Sequence, residues 1–540
     1  MSPSTHMVTE PTGSSLQRLA QTAAERTGDG SLLIFEEQRW TGRQLAARAR
    51  RLSGGLRAAG LRPGERAVVC MSNRPEVNVA YQGIWRCGGI VTPALFLLSA
   101  EELRHVLTDS EAAVIVTTPE FQPLIAAAAQ GLTSVRTIVV AGLEPGPGPV
   151  PGLEPGRSVM SFAALEAGPE GELVDSDPAS GAALMYTGGT TGRAKGVLLS
   201  HDALSSSAWA AADAHFDSAD PDFDDQRLPT VLLPLPLAHA YGLMVTITGL
   251  HAPYPRTSVL MRWFDPVGWV DLAERHRVGT ATVVPSMLQL LLQQPLEDHD
   301  LSALTRVTCG GAPLPREVAE AFSRRLSGVE IGEGYGCTET AAIISTTPKG
   351  RVRPGSVGVP APGVSIRIER PDGSEASTGE NGEICVLGPG MMTGYWRAEA
   401  ETDHAMRGGW FHTGDVGRQD ADGYLFVVDR IKDLIIRGGF NVYPRDVEDS
   451  MLAHPDVIGA AVIGRPHVTY GEEVVAFVRL RAGATVEAAE LVAYAKEHLS
   501  AATYPREIRI IDEVPLTSVG KIDRKRLRQD YRWAGSDPVP

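Results

Sequence analysis

The stretch ALMYTGGTTGRAKGVLLSH, residues 183–201, reads as an apolar strand that ends at Tyr186 and passes through Thr187 into Gly188, Gly189, Thr190, Thr191 and Gly192. Glycines let successive backbone N–H groups turn toward one point, threonine hydroxyls add donors, and Lys195 adds a positive charge. That is the chemistry needed to hold a polyphosphate. It is not a Walker loop, because that motif places Ser or Thr directly after its lysine, and here Gly196 follows Lys195. A plain strand-to-helix turn has the same composition, so this stretch alone leaves both readings open.

Outward from it, short β-rich runs recur between helical stretches: AVVCM (67–71), AVIVTT (113–118), TIVVAG (137–142), TVLLPL (230–235), ATVVP (281–285) and RVTCGG (306–311). That alternation predicts an α/β fold with parallel sheets and crossover helices. After about Pro354 the texture changes to short strands with turn signals, VSIRIERPDGSEA, GEICVLGPG and GYLFVVDR, with PDGS (371–374) as a hairpin turn. From Lys432 a compact α+β pattern follows, with strands AAVIG (460–464), VVAFVRL (474–480) and EIRIIDEV (507–514) and an amphipathic helix VEAAELVAYAKEHL (486–499). The principal boundary is therefore expected at 429–432, giving a larger domain over 1–431 and a smaller one over 432–540.

With 540 residues, 43% of them apolar, the chain can bury several cores and is not a single small binding module. A formal charge of -15 and a pI near 5.4 exclude a general polyanion-binding surface, so any phosphate site is local and no nucleic-acid partner is expected. Five cysteines, Cys70, Cys87, Cys309, Cys337 and Cys385, form no CxxC pair, which predicts reduced thiols in a cytosolic protein. The N-terminal MSPSTHMVTEPTGSS lacks a charged n-region and an apolar h-region and reads as a mobile arm. No run is long and apolar enough to span a bilayer, leaving at most peripheral membrane contact. LEPGPGPVPGLEPG (143–156) reads as an exposed loop, and the acidic DSADPDFDD (217–225) as a solvated loop rather than a metal site.

Seven motifs in order carry a resemblance to the adenylate-forming superfamily of acyl-CoA synthetases, adenylation domains and luciferases. They are the glycine-threonine stretch, LPLPLAHAYGL (233–243), CGGAPLP (309–315), GYGCTET (334–340), GWFHTGDVG (409–417), DRIKDLIIRGGFNVYPRDVE (429–448) and PLTSVGKIDR (515–524). Within the sixth of these, IIRGGFNVYPRDVE (435–448) resembles medium- and long-chain acyl-CoA ligases more closely than amino-acid-activating domains. Two positions depart from the family's pattern: Gly188 stands where serine is usual and Ala194 where proline is usual. The resemblance implies a large N-terminal domain of two doubly wound α/β subdomains plus a small β-barrel, and a mobile C-terminal α+β domain. It also implies ATP, Mg2+ and CoA as the small molecules used.

The chemistry so implied needs no general base in its first step, because a carboxylate is already ionised near neutral pH. The obstacle is repulsion between anions, so catalysis rests on positioning and positive charge around phosphorus. By resemblance, Lys521 is the catalytic lysine reaching from the small domain, Glu339 the magnesium-binding carboxylate, and Thr338 a hydroxyl on the α-phosphate. Outside its motif a lysine such as Lys521 would be a solvated surface charge. Tyr335 is expected on the adenine, with Gly336 beside it and Gly311, Ala312 and Pro313 on the other side. Asp415 would accept both ribose hydroxyls, supported by Arg430, while Thr187, Gly188, Gly189, Thr190, Thr191, Gly192 and Lys195 hold phosphates. His239 is expected beside the acyl carboxylate in a positioning and gating role, although a lone histidine on an apolar segment is commonly a core residue. Lys432 matches the hinge, and Gly438, Gly439 and Phe440 the border of a thiol tunnel in a second domain arrangement. Val284, Ser286, Met287, Gly310, Ala341 and Ala342 match the acyl pocket. Being mostly apolar and small to medium in size, they suit a hydrophobic carboxylic acid, aliphatic or bulky and polycyclic. The acceptor is then CoA or the phosphopantetheine of a carrier protein, the same Gly-Gly-Phe segment being able to serve either thiol.

Overall fold

The computed structural model describes residues 13–143, 157–187, 193–215, 230–517 and 521–531. The N-terminal arm up to residue 12, residues 144–156 of the proline- and glycine-rich loop, the acidic stretch and residues 188–192 lie outside the described residues.

The alternating runs form two mixed sheets. In an eight-stranded sheet, Arg66–Cys70, Ile90–Pro93, Val114–Thr117, Thr137–Val140 and Ser158–Ser161 are mutually parallel, and Gly181–Thr187 joins through Ile90–Pro93. In a nine-stranded sheet, Thr230–Leu233, Thr257–Leu260, Thr280–Val283, Arg306–Cys309 and Glu330–Tyr335 run parallel. The chain enters this second sheet first, because Leu32–Phe35 pairs with Thr257–Leu260 and turns antiparallel into Gln38–Thr41. Neither early strand is legible as part of the alternation. Their two-residue turn is Glu36–Glu37, with Glu36 at φ +54, and glutamate lacks the Asn-Gly or Asp-Gly signature such a turn normally shows.

Helices Gly42–Ala58 and Pro75–Arg86 pack together against the first sheet. The former begins with a capping box, Gln44 N–H donating to Thr41 Oγ1 at 3.1 Å and Thr41 N–H to Gln44 Oε1 at 2.8 Å. Its buried stripe of Ala46, Ala49, Leu52, Ser53 and Leu56 meets a core that includes the enclosed Tyr81, Ile84 and Trp85. Trp85 Nε1–H donates to the Ala182 carbonyl at 3.0 Å, tying that helix to the strand that runs into the glycine-threonine stretch. Removing such a side chain costs about 3–5 kcal/mol through the cavity left behind.

The strands after Pro354 make a four-stranded antiparallel sheet, Ser365–Glu369, Gly382–Leu387, Phe411–Gln419 and Leu425–Arg430 in that spatial order, so the small β unit is an open ladder. PDGS is a tight turn, Gly373 N–H donating to the Arg370 carbonyl at 2.9 Å. The C-terminal unit is a five-stranded sheet centred on Gly471–Leu480 and Val457–His467. Its core is separate, holding Val447, Met451, Val462, Val474, Ala476 and Leu491. Among the described residues no helix is long and apolar enough to cross a membrane, and all five cysteines are free thiols.

Candidate active site

In sheets built from parallel strands the ligand crevice lies beyond the strands' carboxyl ends. Here those ends converge on a cleft of about 1910 Å³, lined by Thr187 and Lys195 at the facing ends of strands Gly181–Thr187 and Lys195–Ser200 and by Ser286, Gly310, Gly311, Ala312 and Pro313 from the connections after the strands. Tyr335, Gly336, Thr338, Glu339 and Ala342 line it after Glu330–Tyr335, and Lys432 and Lys521 line it from the C-terminal side.

His239 is the N-cap of helix Ala240–His251, its Nδ1 accepting from Tyr241 N–H at 3.3 Å. The helix N-terminus therefore opens into the cleft, an end that favours anions. Burial, and then the Lys521 ammonium, push the imidazole down to about 4, so at neutral pH it is uncharged, with its proton on Nε2. What fixes this loop is a residue outside the motifs. Buried Asn73 donates to the carbonyls of Leu235 at 2.8 Å and Met261 at 3.0 Å, and its Oδ1 accepts from Leu237 N–H at 2.8 Å. A buried amide with all these groups satisfied is both rigid and hard to replace.

Asp415 lies directly opposite Arg430 in the pairing of strands Phe411–Gln419 and Leu425–Arg430. Its carboxylate receives Arg430 Nε at 3.0 Å and the Tyr335 hydroxyl at 2.7 Å. Each oxygen keeps further lone-pair capacity, so the group can still accept hydroxyls from a ligand. Glu339, in the turn Thr338–Thr340, accepts from the Tyr395 hydroxyl at 2.9 Å, and Lys195 Nζ lies 5.2 Å from the centroid of the same ring. One carboxylate presented to an open cleft, beside a lysine, suits Mg2+ held mainly by phosphate oxygens. Gly336 is required by close approach, since a Cβ there would stand 2.2 Å from the Ala342 carbonyl oxygen. Ala341 and Ala342 both have positive φ, +47 and +72, so the backbone after Glu339 is strained where it borders the cleft.

Lys521 crosses from the C-terminal unit into this space. Its loop closes on itself through Thr517 N–H to the Lys521 carbonyl at 2.7 Å and Lys521 N–H to Thr517 Oγ1 at 3.2 Å. Three residues on, Arg524 anchors the loop to buried Glu448 at 2.5 Å. Burial and then Arg430 hold the Lys521 ammonium below the usual lysine range, while Asp415 and Glu339 pull the other way. Lys432, in the turn Ile431–Asp433, is pushed down to about 8 by burial and then by Arg430.

Not all of the named positions line the cleft in this domain arrangement. Gly438 and Gly439, at φ +58 and +84, form the two-residue turn between Ile435–Arg437 and Phe440–Val442, and Phe440 is 63% exposed, away from the cleft walls. Val284, Met287 and Ala341 pack into or against core clusters behind the cleft rather than lining it. Gly188, Gly189, Thr190, Thr191 and Gly192 lie outside the described residues. Conversely, Asn73, Tyr395 and Glu333 join or support the cleft with no signal in a single sequence beyond the GYW string at 394–396, and Arg445 does so from within the motif at 429–448 without having been singled out there.

Residues 20–396 match the model of the AMP-binding enzyme family, and 446–521 that of the AMP-binding enzyme C-terminal domain. A feruloyl-CoA synthase of Amycolatopsis sp is 34% identical over 491 residues, covering 90% of this chain and 93% of that protein. A long-chain-fatty-acid–CoA ligase of Bacillus subtilis (strain 168) is 32% identical over 536 residues, covering 95% and 94%. Among solved structures, ATP-bound MatB from Rhodopseudomonas palustris superposes with a TM-score of 0.83 at 30% identity, covering 95% of this chain and 99% of that one.

Proposed function

The chain belongs to the family of AMP-binding enzymes, and on that footing we propose that its cleft turns a hydrophobic carboxylic acid into an acyl-AMP and then into an acyl-CoA. The observation that supports this best is the arrival of Lys521 from the C-terminal unit beside His239, Arg430, Asp415 and Glu339. In the first step a carboxylate oxygen of the acid bonds to the α-phosphorus of ATP, and the bond from that phosphorus to the bridging oxygen breaks, releasing pyrophosphate. Lys521 and the N-terminus of helix Ala240–His251 bring positive potential to an encounter of two anions. Asp415 and Arg430 hold the ribose, and neutral His239 orients the acyl carboxylate without taking its proton. Glu339 is the residue that would hold Mg2+, which when bound offsets phosphate charge. In the second step the CoA thiol attacks the acyl carbon and AMP leaves. For this the C-terminal domain, residues 432–540, turns about Lys432, withdrawing Lys521 and bringing Gly438 and Gly439 inward.

The hydrophobic substrate is read from helix Ala240–His251. Tyr241, Met244, Val245 and Thr248 recur at helical spacing and line the cleft, a wall about 10 Å long at 1.5 Å per residue. ATP–pyrophosphate exchange over saturated, unsaturated and aryl acids, each with and without CoA, tests the reading. Exchange with at least one apolar acid and conversion to its thioester is expected. Exchange confined to amino acids or short dicarboxylates would refute the substrate class, and acyl-AMP that CoA leaves unconsumed would favour a carrier-protein acceptor.

A further inference from the structure

Four side chains of the small antiparallel sheet, none with a part in the proposed reaction, meet on one of its faces. Glu383 and Cys385 are two residues apart on strand Gly382–Leu387 and so point the same way. Glu369 of Ser365–Glu369 stands directly opposite Glu383, and His412 of Phe411–Gln419 directly opposite Cys385. The other face sends Ile368, Ile384 and Val386 into a hydrophobic cluster. One ligand atom from each of the four, two carboxylate oxygens, Sγ and a ring nitrogen, lies within 4.8 Å of all the others. Cys385 Sγ is 3.4 Å and Glu383 Oε2 2.9 Å from His412 Nδ1. A tetrahedral site with bonds of about 2.0–2.3 Å sets its ligand atoms roughly 3.3–3.6 Å apart, so small side-chain rotations close the set around an ion.

The hydrogen-bonding groups point to a cation. The His412 side chain is 3% exposed. Its Nε2 lies 3.2 Å from the Arg407 carbonyl, which can only accept, so that nitrogen carries the proton. In a neutral imidazole Nδ1 then holds a lone pair, and it faces the lone pairs of Glu383 Oε2. Only an extra proton or a cation makes that contact attractive. The outer bonds are those of a ligand set: the far N–H of the histidine donates to a backbone carbonyl, and each carboxylate is held from outside. Glu383 receives Arg407 at 2.8 Å and Gly414 N–H at 3.2 Å, and Glu369 pairs with Arg367. Sulfur, imidazole nitrogen and carboxylate oxygen together favour a borderline-soft ion over Mg2+ or Ca2+, which take oxygen ligands. We propose that Glu369, Glu383, Cys385 and His412 are a binding site for a divalent cation of the Zn2+ class, which ties three strands of this sheet together three residues before Asp415. On binding, the Cys385 thiol gives its proton to solvent and the thiolate bonds the metal.

Co2+ titrated into the full-length, metal-stripped protein tests this, because a thiolate bound to cobalt gives a near-ultraviolet charge-transfer band. A band that saturates at one Co2+ per chain and is displaced by Zn2+ is expected. Cys385→Ser should abolish it, while Cys337→Ser, whose thiol lies in the reaction cleft, should keep it. Glu369→Gln should weaken Co2+ binding at least about tenfold. Zn2+ at about a hundredfold above its Kd should raise the thermal midpoint of wild type by a few degrees and leave that of Cys385→Ser in place. No thiolate band in wild type, or a band that survives in Cys385→Ser, would overturn the site and leave the four as an imidazolium–carboxylate cluster. Should Cys385→Ser fold poorly by circular dichroism, Glu369→Gln decides, since it alters only the edge strand, and unchanged Co2+ affinity there overturns the site as well.

Discussion

Lys521 and His239 approach the same space, and the Lys521 ammonium shifts the charge state of the imidazole. The His239 imidazole is held near 4 chiefly by burial, with the Lys521 ammonium adding to it. Lys521→Ala should therefore raise the His239 pKa, leaving it below the 6.5 of an ordinary histidine because burial remains, and proton NMR of the imidazole against pH reads this directly. An unchanged or lowered value would place the ammonium away from the ring. The same substitution should cut acyl-AMP formation on the order of 10²-fold while sparing transfer from supplied acyl-AMP, since this lysine serves only the first transition state. Single-turnover measurement of each half-reaction separates the two, and equal losses would reject the role. Glu339→Gln removes a carboxylate but leaves the Tyr395 hydroxyl an acceptor, so the fold should persist by circular dichroism. Its magnesium requirement should rise several-fold, visible as a displaced titration midpoint at fixed ATP.

At the scale of elements, the hairpin of Ile435–Arg437 and Phe440–Val442 presents Gly438, Gly439 and an exposed Phe440 away from the cleft while Lys521 occupies it. Lys432 lies just before that hairpin in sequence, within the turn Ile431–Asp433 and at the cleft wall. If that turn is the hinge, Lys432→Pro fixes φ where it must change, so pyrophosphate release should largely survive while acyl-CoA output falls more than tenfold. Gly439 has φ +84, so Gly439→Leu is strained as well as bulky and should lower the same second half-reaction without weakening ATP binding. Parallel assays of pyrophosphate and thioester check both variants. Full acyl-CoA formation in the two of them would remove the hinge-and-tunnel account.

Across the whole molecule, the contact between the two units carries buried carboxylates that pay for proximity in altered proton affinity. Glu333, at the cleft end of strand Glu330–Tyr335, faces Arg445 and Asp449 of helix Pro444–Leu452, and burial lifts its carboxyl to about 7. Arg445 bridges the units through its own Nη1 to the Val427 carbonyl at 2.7 Å and its backbone N–H to Asp429 at 2.9 Å. A carboxyl whose folded pKa lies above its unfolded one contributes its stability fully below about 4.5 and loses it as pH rises through about 7. Glu333→Gln should therefore be indistinguishable from wild type in unfolding free energy near pH 4.5 and more stable at pH 8, by up to about 3 kcal/mol. Denaturant unfolding at both pH values measures the difference. A variant less stable than wild type at pH 8 would show that Arg445 needs this carboxylate charged.

The local and ordered features follow from the amino-acid chain read in one dimension. Runs such as AVIVTT and ATVVP are short, apolar and β-branched, and they became parallel strands because only a sheet covered on both faces buries such segments. The order of the motifs was enough to place Lys521 on a small C-terminal unit and Asp415 and Glu339 on the large one. Periodicity and motif order say which face of an element is buried and which chemistry a segment carries. They do not say which distant segments meet. The pairing of Glu339 with Tyr395, of His105 with Ala194 and of Asn73 with three backbone groups just beyond two strands of the second sheet joins residues 56, 89 and more than 160 positions apart. Nor could composition show that Met287 and Ala341 turn into the core while Ser286 and Ala342 face the cleft. Those outcomes depend on packing and on hydrogen-bond groups satisfied across the interior, and both exist only in the folded chain.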